Sequence, residues 1–231
     1  RIRLFEIGRV YAPRPDGVPG ERNALGILGT GGFAGQNWAN PAPDYGFFHL
    51  KGLVEVLLRG LRIRSFRIEP ATAVSWLNPR DAAVLEAGGE TIGVLGSLSP
   101  ALEDKYKLRQ PVCLAEIDLD RLARHAFPEL TYAPLPKSPS VERDMSIVVG
   151  RDRTYQAIRD GIAGLRIPEL AGIDLIDVYE GEKIPEGRVS LTLRLRFQDP
   201  EKTLTVDRVQ EFVDTVLSFL KKSFGAGLRS L

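Results

Sequence analysis

The stretch Val189-Ser190-Leu191-Thr192-Leu193-Arg194-Leu195-Arg196-Phe197 alternates apolar and polar residues without a break. Successive side chains of a β-strand point to opposite faces of the sheet, so the leucines and Phe197 share one face and the polar residues share the other. A strand of this kind needs helices over its apolar side and leaves its polar side open to water or to a partner. Hydroxyl and guanidinium groups on the open side suit a polar partner.

The segments around this strand complete a small α+β fold. The sequence predicts a strand at 143–149, a helix from Thr154 to about residue 165 and a strand at 173–179. After 189–197 it predicts a helix capped by Thr205 and a short strand at 226–230. The inward residues of this second helix are predicted to be Val206, Val209, Phe212, Val213, Val216 and Leu220. The order βαββαβ is that of ferredoxin-like folds, whose right-handed crossovers place 143–149 and 189–197 in the centre.

Both helices of such a fold cover one face of the sheet, and alternation predicts which residues lie on the other. In the strand at 173–179 it groups Leu175 with Asp177 and Tyr179, and puts Asp174, Ile176 and Val178 on the opposite, helix-covered side. The predicted open face collects Asp144, Ser146, Asp177, Tyr179, Ser190, Thr192, Arg194 and Arg196.

This open face is a candidate RNA-binding surface. Tyr179 offers a flat ring on which a base from a single-stranded RNA loop can stack. Serine and aspartate can contact base edges, and arginine can contact phosphate or stack. From the chemistry alone, a solvated sheet face with a tyrosine that favours strands is an open alternative.

The first half predicts a separate α+β domain. Apolar patterns indicate strands at 4–11, 24–28, 65–68, 82–86, 91–95 and 112–117, a long helix at 48–61 and a short helix at 119–125. Strands on both sides of one long helix suggest an antiparallel sheet with helical cover. The proline-rich segment 132–140 is predicted to be an extended linker. We therefore expect two domains, 1–136 and 137–231.

Composition excludes several classes of function. The chain has 231 residues and a net charge of +1, so bulk charge favours neither nucleic acid nor membrane. A single cysteine, Cys113, and two histidines exclude a disulfide framework, a three-histidine zinc site and an HExxH motif. We expect a reducing, cytoplasmic location and no membrane span. Because the chain opens at Arg1 without a methionine or signal peptide, we expect a fragment of a longer protein.

Two stretches of the first half resemble catalytic motifs only weakly. Phe66-Arg67-Ile68-Glu69 matches the FRxE start of motif 2 of class II aminoacyl-tRNA synthetases, but a strand with Phe66 and Ile68 buried is favoured. The stretch 93–100 has the glycines of motif 3 without its arginine, and it lacks the lysine of a P-loop. We read it as a strand that ends in a turn. His49 is expected at a helix start, and no catalytic residue or metal ligand is predicted.

The sequence motifs of the second half identify a family more specifically than its predicted fold does. Its motifs are Ser138 to Val149, Asp177-Val178-Tyr179-Glu180-Gly181, Ile184-Pro185-Glu186-Gly187, Ser190-Leu191, Thr203-Leu204-Thr205 and Leu228-Arg229. In this order and spacing they resemble the ferredoxin-fold anticodon-binding domain of the β subunit of bacterial phenylalanyl-tRNA synthetase. The first half resembles the catalytic-like domain that precedes it there, through Leu4 to Tyr11, Lys51-Gly52, Asn78 to Ala82, Ile92 to Gly96 and Ala115 to Leu119.

The resemblance implies a class II synthetase fold without catalytic residues, which packs on the catalytic α subunit in an (αβ)2 heterotetramer. The second domain would bind the anticodon stem-loop of tRNA(Phe). The whole enzyme would join phenylalanine to this tRNA with ATP and Mg²⁺, neither of which this fragment would bind, and the editing domain would lie upstream. In the family, positions matching Ser146, Tyr179 and Ser190 lie at the anticodon. The family usually has alanine where this chain has Ser146, and this difference could alter a base contact. It usually has phenylalanine where this chain has Ile176, and this difference should have no effect on RNA binding because the helices are expected to cover the residue.

These implications give each candidate a role. Tyr179 would stack on a base, Ser146 and Ser190 would hydrogen-bond base edges, Asp144 and Asp177 would accept from amino groups, and Arg194 and Arg196 would hold phosphates. Because acidic and basic residues after Lys137 roughly cancel, we expect the isolated fragment to bind RNA weakly. Two alternative functions remain open. The first is a single-chain, organelle-type synthetase, which an intact motif 3 would have supported. The second is an assembly module whose open face contacts only protein.

Overall fold

The computed structural model describes residues 1–13, 15, 17–33, 35, 44–63, 65–126, 132 and 134–229. The chain divides into two compact units, Arg1–Thr131 and Tyr132–Leu231, each with its own hydrophobic core. The division falls at the start of the proline-rich segment in which the boundary at Pro136 was predicted. Within the described residues, no helix has both the length and the apolar character that crossing a membrane requires.

The first unit is built on a six-stranded antiparallel sheet with the strand order β1-β2-β6-β5-β4-β3. The strands are β1 (Ile2–Ala12), β2 (Gly20–Thr30), β3 (Phe66–Pro70), β4 (Ala83–Ala87), β5 (Glu90–Ser97) and β6 (Val112–Asp118). The helices are α1 (Phe47–Gly60), α2 (Pro100–Lys105) and α3 (Leu119–His125). The predicted strands and the two predicted helices are all present.

Helix α1 covers one face of this sheet. Its residues Leu50, Val54 and Leu58 follow one another at a spacing of four and are fully buried against Leu85 and other sheet residues of the core. Helix α2 was not predicted, because the turn after β5 was read as a simple exit from the strand. Pro100 stands at its first position, where the missing N–H of proline breaks no hydrogen bond.

The second unit has a four-stranded antiparallel sheet with the order β10-β7-β9-β8. Its strands are β7 (Val141–Gly150), β8 (Leu170–Tyr179), β9 (Arg188–Phe197) and β10 (Gly227–Leu228), and its helices are α4 (Tyr155–Ala163) and α5 (Val206–Phe224). The prediction that β7 and β9 are the central strands is confirmed. The predicted caps are also present, since the hydroxyls of Thr154 and Thr205 accept from N–H groups in the first turns of α4 and α5.

The core of this unit lies between the apolar face of the sheet and the two helices. Leu193, Leu195 and Phe197 of β9 are fully buried there, together with Ile158 of α4. Four of the six residues predicted to point inward on α5 are buried, namely Val209, Phe212, Val216 and Leu220. Val206, the first residue of the helix, is exposed instead.

Strand β8 departs from strict alternation. Leu175 pairs with Leu193 and Asp177 pairs with Thr192, so Ile176 is an extra residue in a bulge. The extra residue changes the parity of the strand, because side chains alternate with a period of two. Two predictions are therefore wrong. Leu175 lies on the core side, and Asp174, opposite Arg194, lies on the open side.

The bulge also changes the surroundings of Ile176. This residue is 47% exposed, so the prediction that the helices cover it is wrong. Beyond the bulge the original assignment holds, since Asp177 and Tyr179 lie opposite Thr192 and Ser190 on the open side.

Candidate nucleic-acid interface

The side of the four-stranded sheet opposite α4 and α5 is called the open face here. It consists of rows of cross-strand neighbours, which are Val148-Ser190-Tyr179, Ser146-Thr192-Asp177, Asp144-Arg194-Asp174 and Glu142-Arg196-Gly172. All the residues predicted as RNA-binding lie in these rows. The structure brings them together because β7, β8 and β9 are adjacent, although their residues are far apart in the sequence.

Tyr179 is held in a defined position at the end of β8. A Cβ atom at Gly181 would lie 2.3 Å from the hydroxyl oxygen of Tyr179, so the ring occupies space that only a glycine at 181 leaves open. The guanidinium carbon of Arg229 lies 4.5 Å from the centre of the same ring. This is a cation–π contact, and it covers one surface of the predicted stacking platform.

Arg229 was missed by the sequence reasoning. It follows β10, and its backbone N–H donates to the carbonyl oxygen of Ser146 at 2.9 Å. Its position in the Leu228-Arg229 motif was the available signal, but nothing in the local pattern predicts a contact with a residue fifty positions earlier. The contact depends on how β10 is placed beside β7.

Ser190 is buried on the open face. Its side chain is 1% exposed, and its hydroxyl oxygen has no hydrogen-bond partner among the described residues. The neighbours in its row are Val148 and Tyr179. A direct contact of this hydroxyl with a base, as predicted, therefore requires that neighbouring side chains move.

The two arginines predicted to hold phosphates are already paired with carboxylates. Arg194 donates to Asp144 through two hydrogen bonds of 2.7 and 2.8 Å, and Arg196 donates to Asp174 at 3.0 Å. The hydrogen bond from Arg194 holds the pKa of Asp144 below its ordinary value, and the same contact raises the pKa of Arg194. The positive charge of each arginine is thus balanced within the sheet.

The centre of the open face offers hydroxyls and the exposed carboxylate of Asp177. The hydroxyls of Ser146 and Thr192 are 2.9 Å apart and hydrogen-bonded to each other, and both side chains are half-buried. Asp177 lies next to Thr192 and is exposed. Together with the Tyr179 ring, these groups can accept from and donate to the edges of an unpaired base.

The weak catalytic motifs of the first unit have structural explanations. Phe66 and Ile68 pack against its core from β3, as expected for a strand. The Nδ1 atom of His49 accepts from the backbone N–H of Gly46 at the start of α1, and its ring stacks on Phe33. Burial raises the pKa of the Cys113 thiol. Over the residues that the structure describes, no group of three or more His, Cys, Asp and Glu side chains could hold a metal ion.

The first unit also has an uncovered apolar surface. Strand β1 is an edge of the six-stranded sheet, and its Leu4, Phe5 and Ile7 are all more than 60% exposed. Beside it, a groove of about 780 Å³ is lined mainly by Leu4, Phe5, Ile27, Leu28, Trp76 and Leu114. A long apolar edge strand of this kind is normally covered by another part of an assembly.

Two protein-family models match the chain. The model described as "Phenylalanyl tRNA synthetase beta chain CLM domain" matches residues 1–119, and the model described as "Ferredoxin-fold anticodon binding domain" matches residues 136–229.

Curated relatives match along nearly the whole chain. The phenylalanine–tRNA ligase β subunit of Symbiobacterium thermophilum is 35% identical over 99% of this chain and 26% of its own length. The corresponding subunits of Carboxydothermus hydrogenoformans and Geobacillus kaustophilus are 33% and 34% identical over 99% of this chain, and 29% and 28% of their own lengths. The chain thus spans between a quarter and a third of the length of these relatives.

Proposed function

The chain belongs to the phenylalanyl-tRNA synthetase β-chain family, and from this we propose that it is part of the β subunit of a phenylalanine–tRNA ligase. In this proposal the second unit binds the anticodon stem-loop of tRNA(Phe), and the first unit is a non-catalytic scaffold for the catalytic α subunit. The whole enzyme is an (αβ)2 heterotetramer in the cytoplasm, and it uses ATP and Mg²⁺ bound outside this chain.

The observation that carries the proposal is the open face, with Tyr179 placed beside hydroxyl and carboxylate groups. An aromatic ring on an exposed sheet contributes about 1–3 kcal/mol for each base stacked on it. Both helices pack on the other side of the sheet, so neither helix covers Tyr179, Ser146 or Asp177. RNA loops are recognised on sheets of this kind through stacking and through hydrogen bonds to base edges.

Each residue of the open face has a proposed role. Tyr179 stacks on an anticodon base, while Ser146 and Asp177 hydrogen-bond base edges. Ser190 contributes its hydroxyl only after the site has opened. Arg194 and Arg196 contact the RNA backbone as members of ion pairs, so they add little net charge, and Asp144 acts mainly through Arg194. The near balance of charges supports weak RNA binding by the isolated chain.

The scaffold role of the first unit rests on β1. Its apolar side chains are exposed on an edge strand of eleven residues, where unpaired backbone groups can accept a neighbouring chain. We propose that the α subunit covers this edge and the adjacent groove. The apolar character of this edge suits a permanent interface between subunits.

Aminoacylation by the reconstituted enzyme tests the RNA-binding role. Tyr179→Ala should raise the KM for tRNA(Phe) by about tenfold, as expected for the loss of one stacked base, and leave ATP–pyrophosphate exchange unchanged. Tyr179→Phe is the matched control, because it keeps the ring and should retain the wild-type KM.

A defect confined to amino-acid activation would contradict the proposal. An unchanged KM for tRNA, combined with normal binding of the α subunit and no footprint of tRNA on the open face, would favour the assembly module instead.

A further inference from the structure

Arg229 differs from the other two arginines that extend over the centre of the open face. Arg194 and Arg196 are each bonded to an aspartate, whereas Arg229 has no carboxylate within ion-pair distance among the described residues. Its guanidinium group contacts the ring of Tyr179 instead. The charge of Arg229 is therefore not compensated by the sheet, and it is available to an anion.

The side chain of Arg229 must cross the centre of the sheet to make this contact. Its backbone is bonded to Ser146 on the outer side of β7, while Tyr179 belongs to β8 at the opposite edge. Adjacent strands are about 4.8 Å apart, so Arg229 and Tyr179 meet over the central strands. Ser190 is the β9 neighbour of Tyr179, and it is buried in the same cross-strand row.

The buried hydroxyl of Ser190 is a second, independent sign of a binding site. A hydroxyl that is 1% exposed and lacks a partner among the described residues is unfavourable, and native proteins retain few such groups. It gains a partner if the cover opens and a base takes its place. A cation–π contact at the surface is weaker than the stacking of a base on an aromatic ring, so a base can displace the guanidinium group.

We propose that Arg229 occupies the stacking surface of Tyr179 in the RNA-free protein and moves to a backbone phosphate when an unpaired base replaces it. The inference rests on the proposed anticodon binding and extends it. Arg229 then has two functions. It shields the ring and Ser190 from water before binding, and after binding it supplies a positive charge that no carboxylate among the described residues balances.

The salt dependence of binding tests the phosphate contact. The dissociation constant of the complete synthetase for the tRNA(Phe) anticodon stem-loop is measured between about 50 and 200 mM KCl, a range over which counterion release changes affinity strongly. Arg229→Gln should reduce the slope of log K against log salt by about 0.7, the value for one phosphate of single-stranded RNA. Arg229→Lys keeps the charge and should keep the wild-type slope.

Arg208→Gln is the matched control. Arg208 also lies 4.5 Å from an aromatic ring, that of Phe212, but it is on the helical side of the same unit. Its removal should leave the slope unchanged. A wild-type slope in Arg229→Gln, with binding intact, overturns the inference and leaves the proposed function standing. A complete synthetase that does not bind the stem-loop overturns both.

The displacement itself is tested by NMR of the 231-residue chain. In the free chain, the ring current of Tyr179 should shift the side-chain resonances of Arg229 upfield, and Tyr179→Leu should abolish this shift. Saturation with the stem-loop should also abolish it. Resonances that stay shifted in the saturated complex would show that Arg229 remains on the ring, and the inference would then be wrong.

Discussion

Asp144 and Arg194 face each other across the two central strands of the second unit and are joined by two parallel hydrogen bonds of 2.7 and 2.8 Å. The planar guanidinium group of arginine matches a carboxylate in this geometry. Glu142 lies 3.5 Å from the same arginine. The consequence for RNA binding is that Arg194 presents a neutralised pair to the open face, and Asp144 has few free lone pairs to offer a base.

Asp144→Asn is therefore expected to strengthen RNA binding. The substitution removes the nearer of the two negative charges beside Arg194 and leaves the more distant Glu142, so the dissociation constant for the anticodon stem-loop should fall a few-fold. The slope of log K against log salt should become steeper by about 0.7. Both quantities are measured on the complete synthetase.

Glu201→Gln is the control for a simple change of net charge. Glu201 is exposed beyond the end of β9 and makes no ion pair among the described residues, so its substitution should not release an arginine. Weaker binding by Asp144→Asn would support the role first predicted from the sequence, in which Asp144 accepts directly from a base.

Acid should remove the stabilising effect of the Asp144–Arg194 pair. The folded-state pKa of Asp144 is lower than its value in the unfolded chain, because Arg194 donates to the ionised form. The contribution is therefore complete above the unfolded-state pKa of about 4 and is lost as pH falls through the folded-state value. Denaturant titrations should show Asp144→Asn less stable than wild type at pH 7, and the difference should shrink as the pH is lowered below about 4. A difference that does not shrink on acidification would contradict this.

Ser190→Ala should separate stability from RNA binding. The substitution removes a buried hydroxyl that has no partner among the described residues, so stability should rise by up to about 1 kcal/mol. RNA binding should weaken, because the hydroxyl is proposed to meet a base once Arg229 has moved. Thermal unfolding and stem-loop binding measure the two effects.

Ser146→Ala provides the contrast for this pair of measurements. Its hydroxyl is bonded to that of Thr192, so its removal should lower stability rather than raise it. If Ser190→Ala also lowered stability, the Ser190 hydroxyl would have a hydrogen-bond partner in solution. It would then no longer indicate a binding site.

Gly181→Ala should disturb the stacking platform without unfolding the domain. A methyl group at 181 would overlap the hydroxyl and ring of Tyr179, and the ring can move away because it is the end of a side chain. We expect a several-fold loss of stem-loop affinity and little change in melting temperature. Gly227→Ala in β10 is the control, since a Cβ there meets nothing within 4 Å. Equal affinities for the two variants would show that the position of the ring is unimportant.

Hydrogen exchange should locate the subunit interface on the first unit. Amides at the free edge of β1 should exchange rapidly in the β subunit alone and become protected when the α subunit binds. Strand β3 at the other edge of the sheet serves as the internal reference. Protection of β1 in the β subunit alone would mean that its own polypeptide covers this edge, and the proposed interface would be wrong.

Much of the fold could be predicted from local patterns. The period-two alternation of β9 predicted its buried leucines, and the apolar pattern of residues 48–61 predicted helix α1. Capping residues such as Thr154 and Thr205 marked helix starts. These signals suffice because side-chain direction and the first turn of a helix depend on residues close together in the chain.

The state of the candidate site was not predictable in the same way. The bulge at Ile176 depends on the pairing of β8 with β9, and it placed Asp174 beside Arg194 against the expected parity. Sequence alone determined which side chains β7 and β9 direct away from the helices. The tertiary structure decided which of them are paired, buried or covered, as with Asp144 and Arg194, fifty residues apart, and with Arg229 over Tyr179. The physical reason is that alternation is set by the backbone of one strand, whereas ion pairs, burial and stacking arise only when distant segments are brought side by side.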